Sequence, residues 1–174
     1  MINIEYFKTP LGELIIGSAE NKLCLCDWRF RKMRNAIDHR IKSGLSMEYI
    51  EADSEVIEQT KNQLNEYFMR ERTDFNIPLL LVGSEFQKRV WDELLKIPYG
   101  KTETYLGLSK RLGDVKATRA VATANGANAI SIIVPCHRIV GSDGKMVGYA
   151  GGQNTKRKLL KLENAAINGQ MSLF

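Results

Sequence analysis

The sequence predicts an α/β protein in two parts: a small α/β unit over residues 1–82 and a mostly helical unit over 83–165 carrying a helix-turn-helix, with a short tail over 166–174. Three observations predict it. Short β-rich runs crowd the first thirty residues and give way to helix-period patterns. After Ser84 the apolar spacing is mainly helical, with a pair of short helices split by a glycine. The charge also changes sign. From Ser84 onward there are 14 Lys and Arg against 7 Asp and Glu, whereas the preceding residues hold 11 against 13.

Ile2 to Phe7 reads as a strand and Thr9-Pro10-Leu11-Gly12 as a turn. Glu13 to Ser18 and Lys22 to Trp28 read as two further strands joined around Glu20-Asn21. Arg31 to Lys42 is expected to be a helix, with Met33, Ile37 and Ile41 four apart on one face. Asp53 to Arg70 is a stronger helix, capped by Ser54, with Ile57, Leu64, Tyr67 and Phe68 near one stripe. Asn76 to Leu79 and Val82-Gly83 connect to the second unit. Ser84-Glu85-Phe86-Gln87 has capping-box spacing, so a helix should start at Glu85 and bury Phe86, Val90, Trp91, Leu94 and Leu95. Pro98-Tyr99-Gly100 ends it. Tyr105 to Leu112 and Lys116 to Ala124 follow as short helices split by Gly113-Asp114. Two packed core helices would give the same pattern. Ile132-Ile133-Val134 reads as a short strand, Gly141 to Gly144 as a turn, and Thr155 to Ala165 as a last helix.

Composition narrows the class. At 44% hydrophobic and 26% charged residues, the chain has the balance of a folded soluble protein. No apolar run approaches the ~18 residues of a membrane span. Met1 to Thr9, with Glu5 and Lys8, lacks the basic start and apolar stretch of a signal peptide. A cytoplasmic protein with no membrane partner is expected. Three cysteines argue against a disulfide framework, and with two histidines no metal site is expected. Cys24 and Cys26, two apart on a strand, face one side and read as buried residues. The basic second half suggests a polyanionic partner, although ordinary surface charge would give the same count.

Cys136 is the one cysteine beside a histidine. A nucleophilic cysteine must be a thiolate, and a free thiol with a pKa of ~8.5 is mostly protonated at neutral pH. His137 can take that proton directly or through a water, and Glu163, on the last helix, can orient the imidazole. Adjacent Cys and His alone would be weak support, since a single cysteine is usually a buried apolar residue.

The ordered set is specific. Pro135-Cys136-His137-Arg138-Ile139-Val140 resembles the P-C-H-R-[IV]-[IV] motif of the O6-alkylguanine-DNA alkyltransferases. Phe86 to Trp91, Pro98-Tyr99-Gly100, Tyr105, Arg119-Ala120-Val121, Asn128, Tyr149 with Gly151-Gly152, and Leu159-Leu160 with Glu163 fall in that family's order and spacing. The resemblance is close from Phe86 to Glu163 and weaker before. It implies a ribonuclease H-like first domain and a winged-helix-like second domain. It implies that Cys136 accepts an alkyl group from double-stranded DNA carrying O6-alkylguanine, once per chain, without a cofactor and as a monomer. His137, Glu163 and a water would activate the sulfur. Asn128 would tie the helix-turn-helix to the active-site turn. Tyr105 would help rotate the nucleotide and give guanine a proton. Arg119 would fill the gap in the base stack. The carbonyls of Cys136 and Ile139 would read the guanine amine, and Tyr149, Ala150, Gly151 and Gly152 would close over the base.

These roles fit together physically. A stacked base hides its O6 substituent, so the nucleotide must leave the duplex, at a cost of a few kcal/mol. The second helix of the pair would enter the minor groove, where little base-edge code exists. Ala120 and its small neighbours would let it approach closely, and Lys110, Arg111 and Lys116 would contact phosphates. Two departures stand out: Asn125 where relatives often have an apolar residue, and Ser131 where some have proline. Both bear on which alkyl groups fit.

The tail, Gln170-Met171-Ser172-Leu173-Phe174, resembles the Q-L-[SD]-L-F peptide that tethers bacterial proteins to the DNA sliding clamp. Leu173 and Phe174 would enter an apolar groove while Gln170 bonds at its edge. A tail that packs on its own domain or frays is the alternative. Three other readings stay open: a sensor of alkylated bases with this fold, which the presence of Cys136 disfavours; a cysteine hydrolase using Cys136, His137 and Glu163; and a transcription regulator.

Overall fold

A computed structural model describes residues 1–165. The tail residues Gln170, Leu173 and Phe174 lie outside the described residues. The chain forms two compact units, Met1–Gly83 and the described residues from Ser84 onward. The architecture is the α/β one expected: a sheet unit, then a helical unit with a helix-turn-helix. Among the described residues no helix is long and apolar enough to cross a membrane.

In the first unit, β1 (Ile2–Thr9), β2 (Gly12–Ala19) and β3 (Lys22–Trp28) form an antiparallel meander. The β2–β3 turn places Glu20 and Asn21 at φ 54° and 59°, the left-handed pair that a two-residue hairpin requires. A short β4 (Tyr49–Glu51) adds parallel to β1, giving the order β3-β2-β1-β4. From Leu23 to Trp28 every residue is buried, so both faces of β3 are covered. Its free edge is closed by the connection, where Leu23 N–H donates to Pro78 O and Leu80 N–H to Leu23 O. Helix α2 (Glu55–Phe68), capped by Ser54, packs on β1, β2 and β3 through Ile57, Leu64 and Tyr67. Helix α1 (Arg34–Leu45) starts later than the periodicity suggests. Buried Asp27 pairs with Arg31 at 3.2 Å and Arg34 at 3.0 Å. That ionic clamp fixes where the helix begins and leaves Met33 exposed, while Ile37 and Ile41 are buried as expected.

In the second unit, α3 (Glu85–Leu94) begins with the complete Ser84–Gln87 capping box. Val90, Trp91 and Leu94 are buried, and Trp91 Nε1 donates to Ala124 O at 2.8 Å. Leu95 is 42% exposed, against expectation, because the helix ends at Leu94 and its apolar stripe stops there. The pair β5 (Glu103–Thr104) and β6 (Ile139–Val140) is parallel. Between them lie α4 (Tyr105–Arg111) and α5 (Thr118–Gly126). Gly113 at φ 83° and a 3-10 turn over Val115–Ala117 separate the two helices. Helix α6 (Gln153–Leu162) closes the described chain.

Candidate active site

The segment before Cys136 is a set of tight turns rather than the strand that Ile132-Ile133-Val134 suggests. Ile132 sits at φ 73°, a conformation that disfavours a β-branched residue and persists only where the surroundings impose it. The surroundings here do so. Asn128, buried just past α5, donates from Nδ2 to Ile130 O at 3.2 Å and Val134 O at 2.9 Å. Its Oδ1 accepts from Ile130 N–H at 3.0 Å. One amide side chain therefore stitches the end of the helix-turn-helix to the turn that presents Cys136. These three bonds outweigh the β propensity of the run.

Cys136 opens a 3-10 turn, Cys136–Arg138, and is 3% exposed. Its carbonyl accepts the Ile139 N–H, so one lone pair of the expected base-reading oxygen is already used. Register between β5 and β6 sets Thr104 opposite Val140, which brings Tyr105, the first residue of α4, to the same end of the unit as this turn. The Tyr105 hydroxyl donates to Val147 O at 3.3 Å. Burial raises the Tyr105 pKa, the nearby Cys136 charge raises it further, and a hydrogen bond from Asn125 opposes both. Tyr105 thus stays protonated at neutral pH.

His137 is fully buried, and its Nε2 meets Glu163 Oε2 at 2.7 Å. Glu163 also receives Arg138: Nε to Oε1 at 2.8 Å and Nη2 to Oε2 at 3.1 Å. Arg138 Nη1 donates to Ile97 O at 2.6 Å. Burial pushes the Glu163 carboxyl upward, but His137 and Arg138 outweigh it and hold it well below the usual carboxylate range. Burial pushes the His137 imidazole down, Glu163 pulls it back up, and Arg138 and Lys156 lower it further. The pair is therefore an ionised carboxylate and a neutral imidazole whose Nε2 carries the proton. Nδ1 is left as the acceptor, buried and without a partner among the described residues.

The other expected residues fall on two surfaces. Lys116, Arg119 and Ala120 are exposed on the helix-turn-helix, whereas Val121, Ala124 and Asn125 are buried. Arg111 is also exposed and pairs with Glu103 at 3.3 Å. Tyr149, Ala150 and Gly151 are half-buried in the loop before α6, and Gly152 is exposed. The Tyr149 ring meets His137 edge-on, with centroids 6.4 Å apart. Ile139 is buried in β6.

Sequence reasoning missed Arg138 as the second partner of Glu163. It also missed Lys156, fully buried on α6, whose Nζ donates to Val147 O at 3.0 Å and Gly148 O at 3.2 Å. A signal existed: Lys156 lies on the same helical stripe as Leu159, Leu160 and Glu163, an uncommon place for a lysine.

Both units are similar to known proteins. Residues 2–81 match the 6-O-methylguanine DNA methyltransferase ribonuclease-like domain, and residues 85–165 match the DNA binding domain of the same name. A methylated-DNA–protein-cysteine methyltransferase of Methanosarcina acetivorans is 40% identical over 159 residues, covering 91% of this chain and 96% of its own. One from Mycobacterium leprae is 38% identical over 177 residues, covering 100% and 99%. Among solved structures, the Mycobacterium tuberculosis O6-methylguanine methyltransferase superposes with a TM-score of 0.79 at 37% identity, over 94% of this chain and 93% of that one. OGT of the same organism in complex with DNA gives 0.79 and 37% over 92% of each.

Proposed function

The chain belongs to the methylated-DNA–protein-cysteine methyltransferase family, and from that premise we propose that it repairs O6-alkylguanine in duplex DNA by moving the alkyl group onto Cys136. The observation that carries this reading is the Glu163–His137 pair, which presents a proton-accepting Nδ1, without a partner among the described residues, one residue from a buried cysteine. His137 takes the thiol proton through a water, and Glu163 holds the tautomer that lets it do so.

The thiolate attacks the saturated alkyl carbon. A sulfur–carbon bond forms, the carbon–O6 bond breaks, and its electron pair goes to guanine. Tyr105, protonated at neutral pH, gives the departing base its proton. The product is a thioether, without a carbonyl for water to attack, so each chain acts once. No cofactor takes part in any step.

On the DNA side, α5 enters the minor groove with Arg119 and Ala120 outermost. The lesion turns out of the stack, Arg119 fills its place, and the Tyr149–Gly152 loop covers the base. Lys116 and Arg111 meet phosphates, Arg111 on exchanging its Glu103 partner.

Intact-mass spectrometry after mixing with O6-methylguanine duplex tests the reading. One added methylene, about 14 Da, is expected on Cys136 and nowhere else, and no gain is expected in Cys136→Ala. Catalytic demethylation by an unmodified chain would refute it.

A further inference from the structure

Arg138 is a charged side chain of the Cys136 turn to which the transfer steps give no part. It is buried and held from two sides. Nε donates to Glu163 Oε1 at 2.8 Å and Nη2 to Oε2 at 3.1 Å, while Nη1 donates to Ile97 O at 2.6 Å. Glu163 Oε2 is also the oxygen that His137 Nε2 meets at 2.7 Å. One carboxylate oxygen therefore serves the imidazole and the guanidinium together. The Ile97 side is itself anchored to the end of α6. The Tyr99 hydroxyl donates to Leu162 O at 3.3 Å. Gly100, at φ 77°, lies so close that a Cβ added there would stand 3.2 Å from the Glu163 carbonyl oxygen.

We infer that Arg138 is a positioning residue for the transfer reaction: by sharing the Glu163 carboxylate it fixes the oxygen that His137 meets and stops that carboxylate from holding a second proton on the imidazole, so that Nδ1 stays open to the Cys136 thiol.

A count of charges gives the reason. Glu163 and Arg138 neutralise each other, so the buried cluster carries no net charge while His137 is neutral. A buried carboxylate that faced His137 alone would draw a proton onto the ring, because an uncompensated buried anion is costly. The imidazolium would then donate from both nitrogens and accept at neither. The guanidinium removes that demand, and its planar fork holds both carboxylate oxygens in one plane. The groups around His137 agree in direction. Burial lowers its pKa, Glu163 pulls it up, and Arg138 on its own turn and Lys156 on α6 lower it again. Cys136 adjoins it on the turn, the Tyr149 ring meets it edge-on at 6.4 Å, and the Tyr99 ring lies 5.8 Å from the guanidinium carbon.

The inference rests on Cys136 being the acceptor, and two measurements separate the two claims. The first follows single-turnover transfer from O6-methylguanine duplex by intact mass, from about pH 5 to 8. The final extent counts the competent chains, so a variant that folds less completely lowers the extent and not the rate constant. In the wild type the acid limb of the rate profile is expected below the ordinary imidazole value of 6.5. Arg138→Gln is expected to move that limb up by about one pH unit or more, and Arg138→Lys, which keeps the charge, to restore most of the difference. A merely structural arginine would change the extent and leave the limb unmoved, and that result overturns the inference.

The second measurement needs no DNA. Nitrogen NMR of the imidazoles reads the ring directly, and His39, exposed on the first unit, is the one other histidine. At about pH 6 the wild-type His137 is expected to carry a proton at Nε2 alone, and the Arg138→Gln ring mostly at both nitrogens. A wild-type ring protonated at both nitrogens, or a variant ring identical to the wild type, overturns the inference. A wild-type chain that gains no methyl group refutes the transfer reading instead, and the NMR result is independent of it.

Discussion

Glu163→Gln removes one charge and one acceptor from a buried cluster without changing its shape. In the wild type, Glu163 accepts three hydrogen bonds, from His137 Nε2 at 2.7 Å and from Arg138 Nε and Nη2 at 2.8 and 3.1 Å. A glutamine can turn its oxygen toward one side only, so its NH2 must face a donor on the other. Arg138, 6% exposed, becomes a buried cation without an anion. Breaking a buried pair from one side costs about 3–5 kcal/mol. For a domain the size of the second unit, each kcal/mol shifts Tm by about 4–8 °C, so a fall of at least about 12 °C is expected. Trp91 reports this unit and Trp28 the other. Fluorescence melts in a Trp28→Phe background therefore read the right transition. The effect has a pH signature. A carboxyl held below its unfolded value of about 4.3 stabilises fully above that pH and loses its contribution as pH falls through the folded value. The gap between wild type and variant should stay constant from pH 7 to about 4.5 and narrow below. A shift smaller than about 4 °C at pH 7, or a gap unchanged at pH 3, would show that the cluster does not hold this unit together.

Tyr105→Phe should slow methyl transfer about 100-fold or more at pH 7 in single-turnover rapid quench, while DNA affinity changes less than threefold; an unchanged rate removes Tyr105 as proton donor. Deleting Gln170–Phe174 should abolish binding to an immobilised bacterial sliding clamp and leave transfer in solution untouched; equal clamp affinity ends that expectation.

Local side chain–backbone chemistry was legible at most of the turns and caps. The Glu20-Asn21 turn, the Ser84 capping box and the Gly113 break all depend on neighbours in sequence. The failures arise where a partner's side chain or edge is not announced by the residues it acts on. Helix α1 begins where Asp27 fixes it, seven residues before Arg34 in the chain and on another element. Strand β4 is three residues long and exists because β1 offers a parallel edge. The Ile132-Ile133-Val134 run reads as a strand on propensity, yet Asn128 bends it. In the site, the contact of Glu163 with His137 was legible from the place of Glu163 on the last helical stripe. The partner Arg138 was hidden, because nothing in the order of residues says that it turns inward to Glu163.

The burial of this cluster suits a protein that acts once. Cys136, His137, Arg138, Lys156 and Glu163 are all nearly shielded from solvent, so protons reach them slowly and each charge depends on its neighbours. An enzyme that turns over must return every group to its starting ionisation in each cycle, which favours contact with water. On the proposed mechanism no second cycle exists. The charges need to be set only once, when the unit folds, and the low dielectric that makes them costly also strengthens the field that keeps the sulfur ionised. Transfer then closes the proton account on that mechanism: the proton His137 took from the thiol replaces the one Tyr105 gave to guanine, and the thioether left behind needs no charged neighbour.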